Sequence, residues 1–413
     1  MNKRIPSDRL LLGAYILQPY AQTEKHIKEL SECGIEMIVC FAPKDRSVLD
    51  LLEKYHVGCI ITGILPGWWG GDGTKAGTLH ERSPIEIYEK KAAEFVDHPA
   101  VWGVDIGDEP SALDFDHYGK IARTVDLCYE NQLPYLNLYP NYASVAANTE
   151  DQTMCQLGTA TYAEHIQKYI EKVDLPYISY DFYPYSLPES IGIGKMLDNF
   201  RIVADACRKT GRDFWYIPQV NGLHETDFTS EDMLRYQAYI ALCYGATVIN
   251  WACYTGGWWC NNVLDKEGNK TEQYDKLKHI NEELRRFGEI YMKYKNTATY
   301  ITGFENDPWY GKYEGVECVR EIDTGAVRGL KSSGGKLVVG QMVHRQDNGK
   351  VALLVCNASD PYGREPSETV VSFSAFRRCV KVYSGEKVVE LHREGDEYSF
   401  TLGSDRAVLI TLE

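Results

Sequence analysis

The sequence predicts an α/β protein in which a (β/α)8 barrel is followed by an antiparallel β-sandwich. Between Leu10 and Tyr254, short apolar runs alternate with amphipathic, helix-like segments. Eight such units in roughly 250 residues match a (β/α)8 barrel in number and size. After about residue 300 the helical periodicity ends, and short alternating runs separated by Gly, Asn and Asp turns indicate a sandwich.

The apolar runs predict the eight barrel strands: Leu10–Leu17, Ile35–Ala42, Val57–Leu65, Ala100–Glu109, Leu133–Tyr139, Leu175–Tyr183, Phe214–Asn221 and Ala246–Tyr254. The segments between them predict helices: Thr23–Cys33, Ser47–Tyr55, Pro84–Val96, Tyr118–Glu130, Ala163–Val173, Lys195–Lys209 and Ser230–Tyr244. The charged stretch Thr271–Lys295 is expected to form the eighth helix. No glycine-rich phosphate turn follows the first run, which disfavours the competing doubly wound dinucleotide-binding fold.

The sandwich is predicted from a second set of runs: Lys336–Met342, Val351–Asn357, Thr369–Phe373, Val380–Tyr383, Tyr398–Leu402 and Ala407–Thr411. The predicted boundary assigns residues 1–296 to the barrel and 297–413 to the sandwich. Because no low-complexity linker separates the two patterns, we expect the sandwich to pack directly on the barrel.

Composition excludes several classes of partner. The net charge of −15 argues against binding nucleic acid or an anionic membrane surface. The 12 cysteines show no CxxC pair and no zinc spacing, which favours buried free thiols in a reducing, cytoplasmic compartment without a metal or another cofactor. No run approaches the ~18 apolar residues that span a bilayer. The sequence does not indicate an oligomeric state.

Catalytic groups of such barrels project from the C-terminal ends of the strands, so the strand ends supply the candidates. The fourth run ends in Asp105-Ile106-Gly107-Asp108-Glu109-Pro110. Because side chains alternate along a strand, Asp105, Gly107 and Glu109 are expected on one face and Asp108 on the other. Pro110 fixes the backbone next to Glu109 without burying its carboxylate.

The sixth run ends in a second carboxylate, Asp181. Two carboxyl groups flanking one bond are the requirement for glycosidic cleavage, with one as the acid and the other as nucleophile or base. Glu109 and Asp181 are therefore predicted to be catalytic, although Asp181 could instead form an ion pair at the barrel rim.

Other strand ends and loops supply the predicted substrate-binding residues. Paired tryptophans next to glycines at two loop tips indicate an aromatic wall over a cleft, and the strand ends carry no Arg or Lys cluster for an anionic sugar. A neutral glycan is therefore favoured. The predicted residues are Asp108, Asn137, Tyr139, Tyr183, Gln219, Asn221, Glu225, Trp251, Trp69 and Trp258.

The ending Asp108-Glu109-Pro110, after Ala100-Val101-Trp102-Gly103, resembles the fourth strand of the barrel glycoside hydrolases of clan A and related bacterial proteins. That resemblance implies Glu109 as the acid/base and Trp251 as a platform under the reacting sugar. The clan places its nucleophilic glutamate at the end of the seventh strand, where this sequence has Gln219, which cannot act as that nucleophile. Glu225 lies six residues later and is an alternative partner.

The segment from Gly103 to Glu109 is also similar to the chitinase-type signature of glycoside hydrolase family 18, although Gly107 replaces its middle aspartate. Tyr180-Asp181 is similar to that family's Tyr-Asp pair, which orients the acetamido group of the substrate as a nucleophile. This resemblance implies a substrate-assisted glycosidase, again with Glu109 as the acid.

Three functions remain open. The first is a glycoside hydrolase that acts on a neutral oligosaccharide or glycoside through Glu109 and Asp181. The second is a catalytically silent barrel that binds sugar, which Gln219 would favour. The third is a lyase or isomerase, which is disfavoured because no strand end carries the His/Asp/Glu cluster that a divalent metal needs.

Overall fold

The structure is a computed structural model that describes residues 4–63, 75–90, 94–129, 131–144, 156–256, 259–365, 367–376, 380–385, 387–403 and 406–412. Trp69 and Trp258, both predicted to bind substrate, lie outside these ranges. Within them, no helix has the length and apolar character needed to cross a membrane.

Eight parallel strands form the predicted barrel: β1 Leu11–Tyr15, β2 Met37–Phe41, β3 Gly58–Ile61, β4 Val101–Asp108, β5 Leu133–Asn137, β6 Tyr177–Phe182, β7 Asp213–Pro218 and β8 Ala246–Trp251. The strand order is β5-β4-β3-β2-β1-β8-β7-β6. The ring closes between β5 and β6, where the backbone N–H of Leu138 donates to the carbonyl oxygen of Ser179 at 2.9 Å. The predicted fold class is confirmed.

Helices surround the barrel: α1 Glu24–Glu32, α2 Arg46–Lys54, α3 Leu79–Arg82, α4 Ile85–Lys90, α5 Phe115–Cys128, α6 Tyr162–Lys172, α7 Glu189–Thr210, α8 Glu231–Cys243 and α9 Glu272–Tyr291. Side-chain caps begin several of them; the Thr161 hydroxyl, for example, accepts from the backbone N–H of Glu164 at α6. α7 begins six residues before the predicted start at Lys195. The prediction missed this part because it contains Gly194, and glycine is a poor helix former. Glycine is present there because Gly194 packs against the Trp309 ring.

The sandwich consists of two antiparallel sheets, as predicted. A four-stranded sheet has the order β10-β13-β17-β16, and a six-stranded sheet has the order β15-β14-β18-β12-β11-β9. Their strands are β9 Tyr294–Thr302, β10 Val327–Ser332, β11 Leu337–His344, β12 Val351–Asn357, β13 Thr369–Ala375, β14 Val380–Ser384, β15 Lys387–Val388, β16 His392–Glu394, β17 Glu397–Leu402 and β18 Ala407–Leu412. The predicted eighth helix was too long, because α9 ends at Tyr291 and β9 begins at Tyr294.

The six-stranded sheet packs directly against α8, as expected from the missing linker. The Cys243 thiol of α8 lies 3.4 Å from the carbonyl oxygen of Val338 and 3.6 Å from that of Leu354. Gly340 makes this approach possible, because a Cβ atom there would lie 2.4 Å from the carbonyl oxygen of Cys243. One face of the six-stranded sheet therefore belongs to the barrel core, while the two sheets of the sandwich enclose a second core of their own.

Candidate active site

The C-terminal ends of the barrel strands surround a cavity of about 560 Å³. This is the end at which barrel enzymes hold their substrates. No lysine, arginine or histidine occurs among the described residues that line it. They are Tyr15, Ile16, Cys40, Asp108, Glu109, Asn137, Asp181, Tyr183, Ile217, Cys253 and Trp259.

A bulge in β4 changes which side chains face this cavity. Asp105 pairs with Tyr135 of β5, but Gly107 pairs with the next residue, Leu136, so β4 contains one extra residue. Gly107 consequently faces outward, where a Cβ atom would lie 2.6 Å from the Tyr118 hydroxyl of α5. Asp108 lines the cavity. The predicted alternation was therefore wrong, because simple alternation assumes a strand without a bulge.

Glu109 lies directly after β4 with an unusual backbone conformation. Its φ is +46°, in the left-handed region, and its N–H donates to the Asn137 carbonyl oxygen at 2.9 Å. Two other cavity residues share this conformation, Ile16 with φ +63° and Cys40 with φ +54°. Such conformations cost about 1–3 kcal/mol each and cluster at functional sites. At Glu109 the left-handed turn brings two successive carboxylates, those of residues 108 and 109, to the same cavity.

Asn137 links the carboxylates of Asp108 and Asp181. Its Nδ2 donates to Asp108 Oδ1 at 3.2 Å and to Asp181 Oδ1 at 2.7 Å. Ser179 Oγ donates to Asn137 Oδ1 at 3.1 Å. Three adjacent strands, β4, β5 and β6, thus supply one hydrogen-bonded group inside the barrel.

Burial makes these carboxyl groups reluctant to ionise. It raises the pKa of Asp181 to about 7, with a further contribution from the charge of Asp108, while the hydrogen bond from Asn137 opposes the shift. Burial also raises the pKa of Asp108 to about 6. Asp105, deeper on β4, has its pKa raised to about 7 by burial and by Asp108. Asp108 and Asp181 therefore titrate as an interacting pair close to neutral pH.

Aromatic rings form part of the cavity wall. The rings of Tyr183 and Trp259 meet edge to face with centroids 4.9 Å apart. Tyr15 contributes a third ring from the end of β1, and its hydroxyl lies 3.0 Å from that of Tyr135. Rings of this kind present flat apolar surface beside polar groups, a combination suited to a sugar.

Several predicted binding residues do not line the cavity. Trp251 is fully buried and donates its Nε1–H to Asn281 Oδ1 of α9 at 2.9 Å, on the outer side of β8. Tyr139 is buried in the barrel core, and Asn221 accepts a hydrogen bond from the backbone N–H of Cys253. Glu225 is exposed on the loop after β7. We therefore leave these four residues out of the proposed site.

Gln219, which follows β7, is buried in a network of its own. Its Oε1 accepts from the Tyr185 N–H at 3.1 Å, and its Nε2 donates to Ser186 Oγ at 3.0 Å and to the Asn221 carbonyl oxygen at 2.9 Å. The amide is thus satisfied by the loops around it. The cavity-lining residue of β7 is Ile217, so this strand supplies no carboxylate to the cavity.

Six cavity residues were not predicted: Tyr15, Ile16, Cys40, Ile217, Cys253 and Trp259. All except Trp259 lie at or within two residues of a strand end, which is the signal that could have identified them, and Trp259 lies on the loop after β8. Trp259 directly follows the predicted Trp258, and a pair of adjacent tryptophans does not indicate which ring turns inward.

A group with potential metal ligands lies away from the cavity. Glu231, His279 and Glu283 place ligand atoms within 4.8 Å of one another, the one such group in the described part of the chain. The buried guanidinium of Arg235 forms ion pairs with Glu231 at 2.6 Å and with Glu283 at 2.9 Å. Both carboxylates are thus already paired with a guanidinium, whose positive charge would oppose a bound cation.

No family model matches the sequence, and a search of curated proteins finds no match. Solved structures resemble the fold over nearly the whole chain. A glycoside hydrolase family 5 protein from Bacteroides vulgatus superposes with a TM-score of 0.54 at 12% identity, over 98% of this chain and 88% of that one. A candidate alpha-galactosidase from Bacteroides fragilis gives a TM-score of 0.51 at 10% identity, over 99% and 80%. At these identities, the similarity establishes the shared fold.

Proposed function

We propose that the protein is a glycoside hydrolase that cleaves a neutral oligosaccharide or glycoside, with Glu109 as general acid and Asp181 as its partner. One observation carries this proposal: both carboxylates line a single aromatic-walled cavity at the C-terminal end of the barrel. Glycosidic cleavage requires two carboxyl groups flanking one bond, and this cavity offers them from β4 and β6.

Glu109 and Asp181 influence the same two hydroxyl groups. The pKa of Tyr142 is raised mainly by burial, then by Asp181 and Glu109. The pKa of Tyr183 is likewise raised by burial, with smaller contributions from Asp181 and Glu109. Both carboxylates thus act on the same pair of tyrosines from one cavity, which supports their assignment as partners.

Asp181 suits the role of base or nucleophile because it changes protonation state near neutral pH. A catalytic group works best when its pKa lies near the operating pH, and that of Asp181 is raised to about 7. Only the ionised carboxylate can attack or accept a proton. We therefore expect activity to rise with pH as the interacting pair of Asp108 and Asp181 ionises.

A neutral substrate is favoured by the charge of the cavity. Its described lining contains three carboxylates and no basic side chain that could bind a uronic acid or a phosphorylated sugar. The carboxylates can instead hydrogen-bond to sugar hydroxyls, and Trp259 and Tyr183 can pack against the apolar ring face.

A binding-only barrel is the second candidate, and the neutral amide of Gln219 after β7 favours it. Calorimetry and product analysis on a panel of aryl glycosides and short oligosaccharides separate the two. Product release supports the hydrolase, whereas saturable binding without product across the panel supports the silent barrel.

The partner of Glu109 is tested by comparing Asp181→Asn with Glu225→Gln. We expect the first change to lower kcat by about 100-fold or more, because it removes the acid–base partner. Glu225 is exposed outside the cavity, so its change should leave kcat within about twofold. Loss of turnover in Glu225→Gln alone would place the partner on the loop after β7 and contradict the proposal.

A further inference from the structure

Asn137 holds a position that allows its amide one orientation. It is the last residue of β5, is only 2% exposed, and lies between Asp108 of β4 and Asp181 of β6. Ionised carboxylates only accept hydrogen bonds. When both aspartates are ionised, the NH2 side of the amide therefore faces both of them and its Oδ1 faces away toward a donor, which is the arrangement observed.

That donor is the hydroxyl of Ser179. Because this hydroxyl has a single hydrogen, it sets which atom donates in each bond of a longer chain of hydrogen bonds. Ser179 Oγ donates to Asn137 Oδ1 at 3.1 Å, so toward the Tyr135 hydroxyl, at 3.0 Å, it can only accept. Tyr135 has then used its own hydrogen. Toward the Tyr15 hydroxyl, also at 3.0 Å, Tyr135 can in turn only accept.

The chain thus has one polarity from β1 to the carboxylates: Tyr15 donates to Tyr135, Tyr135 to Ser179, and Ser179 to Asn137. Its middle members are buried, with exposures of 0% for Tyr135 and 1% for Ser179. Its two ends, Tyr15 and Asn137, line the cavity.

We propose that Asn137 is a positioning residue, and that the hydroxyl chain from Tyr15 fixes its amide so that donors always face Asp108 and Asp181. The effect on turnover rests on the proposed function, whereas the hydrogen-bond order does not. If the amide turned over, Oδ1 would face two carboxylates, and both would ionise less readily.

Asp181 is also surrounded by other titratable groups, which any pH measurement includes. Asp108 and Glu109 approach from the end of β4, and the others are tyrosines and a cysteine from the neighbouring elements. These are Tyr142 after β5, Tyr162 of α6, Tyr183 after β6, Tyr216 of β7 and Cys253 after β8. Asp108 also interacts with Tyr15, Cys40, Tyr118 and Tyr135. Ser179→Ala leaves every one of these groups in place, whereas Tyr135→Phe also removes a tyrosine hydroxyl that interacts with Asp108.

The test is a double-mutant cycle of Ser179→Ala and Tyr135→Phe on an aryl glycoside that the wild type hydrolyses. Each change should lower kcat by about 10- to 100-fold, as supporting partners of catalytic groups do, with little effect on KM. The acid limb of the pH profile should move to higher pH. The double variant should resemble Ser179→Ala alone, because Ser179→Ala already breaks the chain of hydrogen bonds and Tyr135→Phe then removes nothing further from it.

Ser83→Ala is the matched control, since Ser83 is a buried serine outside the cavity and should keep wild-type kcat and pH profile. Circular dichroism verifies folding, and Tyr135→Phe carries the test if Ser179→Ala does not fold. Wild-type pH profiles in both chain variants, or losses that add in the double variant, would overturn the proposal.

A readout without turnover separates this inference from the proposed function. Carbon-13 NMR of carboxyl-labelled aspartate follows Asp108 and Asp181 directly, with Asp108→Asn and Asp181→Asn as assignments. We expect both to titrate at higher pH in Ser179→Ala than in the wild type. If the wild type hydrolyses no glycoside and this shift occurs, the proposed function fails and the positioning role stands; unchanged titration refutes the positioning role.

Discussion

Asp108→Asn tests whether the half-buried carboxylate of Asp108 and the buried carboxylate of Asp181 share the cavity as an interacting pair. The charge of Asp108 is the second cause, after burial, of the raised pKa of Asp181. Asparagine has nearly the same shape, and its Oδ1 still accepts from Asn137, so the change removes chiefly the negative charge. Asp181 should then ionise at lower pH, and the acid limb of kcat/KM should follow it.

The size of the effect follows from the geometry of Asn137. Its Nδ2 lies 3.2 Å from Asp108 Oδ1 and 2.7 Å from Asp181 Oδ1, so the two oxygens are at most about 6 Å apart. Two unit charges at that distance repel by about 3 kcal/mol at an effective dielectric constant of about 20, and by about 0.7 kcal/mol in water. The acid limb should therefore move down by about 0.5 to 2 pH units.

The assay is the pH dependence of kcat/KM, which reports groups of the free enzyme. Asp105→Asn is the matched control, because Asp105 is a half-buried carboxylate of the same strand that is not among the groups raising the pKa of Asp181. An acid limb that stays in place in Asp108→Asn, or that moves equally in Asp105→Asn, refutes the reasoning.

Three further predictions concern stability and binding. Asp105 has a pKa of about 7 in the folded protein, above its ordinary value of 3.8, so its contribution to stability falls as pH rises between these values. Asp105→Asn should therefore unfold at a higher temperature than the wild type at pH 8, but not at pH 3.5. Gly340→Ala should lower the free energy of unfolding, measured in urea, by about 1–3 kcal/mol, because its Cβ would lie 2.4 Å from the Cys243 carbonyl oxygen. Gly325→Ala has open space around it and should lower that free energy by less than about 1 kcal/mol. Trp259→Ala should raise KM about tenfold through loss of the cavity wall, and Trp259→Phe should recover part of it; equal KM values for both variants and wild type would exclude a binding role.

The barrel strands were predictable because each is a short apolar run bounded by polar segments, a pattern that persists without tertiary information. β9 was missed because Tyr294 and Lys295 continue the charged pattern of α9, and their pairing with β11 depends on residues about 50 positions later. Contacts at that separation leave little local signal. The start of α7 was missed for a different reason, since its two glycines serve close packing, Gly192 against Pro184 and Gly194 against Trp309.

The site was predictable at the level of strand ends, and less so at the level of side-chain direction. Glu109 and Asp181 both reach the cavity. The bulge that turns Asp108 inward arises from pairing between β4 and β5, which the order of residues in β4 does not reveal. Trp251 faces α9 and not the cavity. The sequence could not show this, because both faces of a barrel strand are buried and hydrophobicity alone does not distinguish the inner face from the outer one.

The central claim is that Glu109 donates a proton to the leaving group, and Glu109→Gln tests it most directly on two substrates that differ only in leaving group. With a poorly acidic alcohol as leaving group, kcat should fall by about 100- to 10,000-fold, because that alcohol must be protonated as it departs. With 2,4-dinitrophenol, which departs without a proton, the variant should retain most of the wild-type rate of bond cleavage. Equal losses on both substrates, or wild-type turnover on the first, would contradict the assignment of Glu109 as the acid.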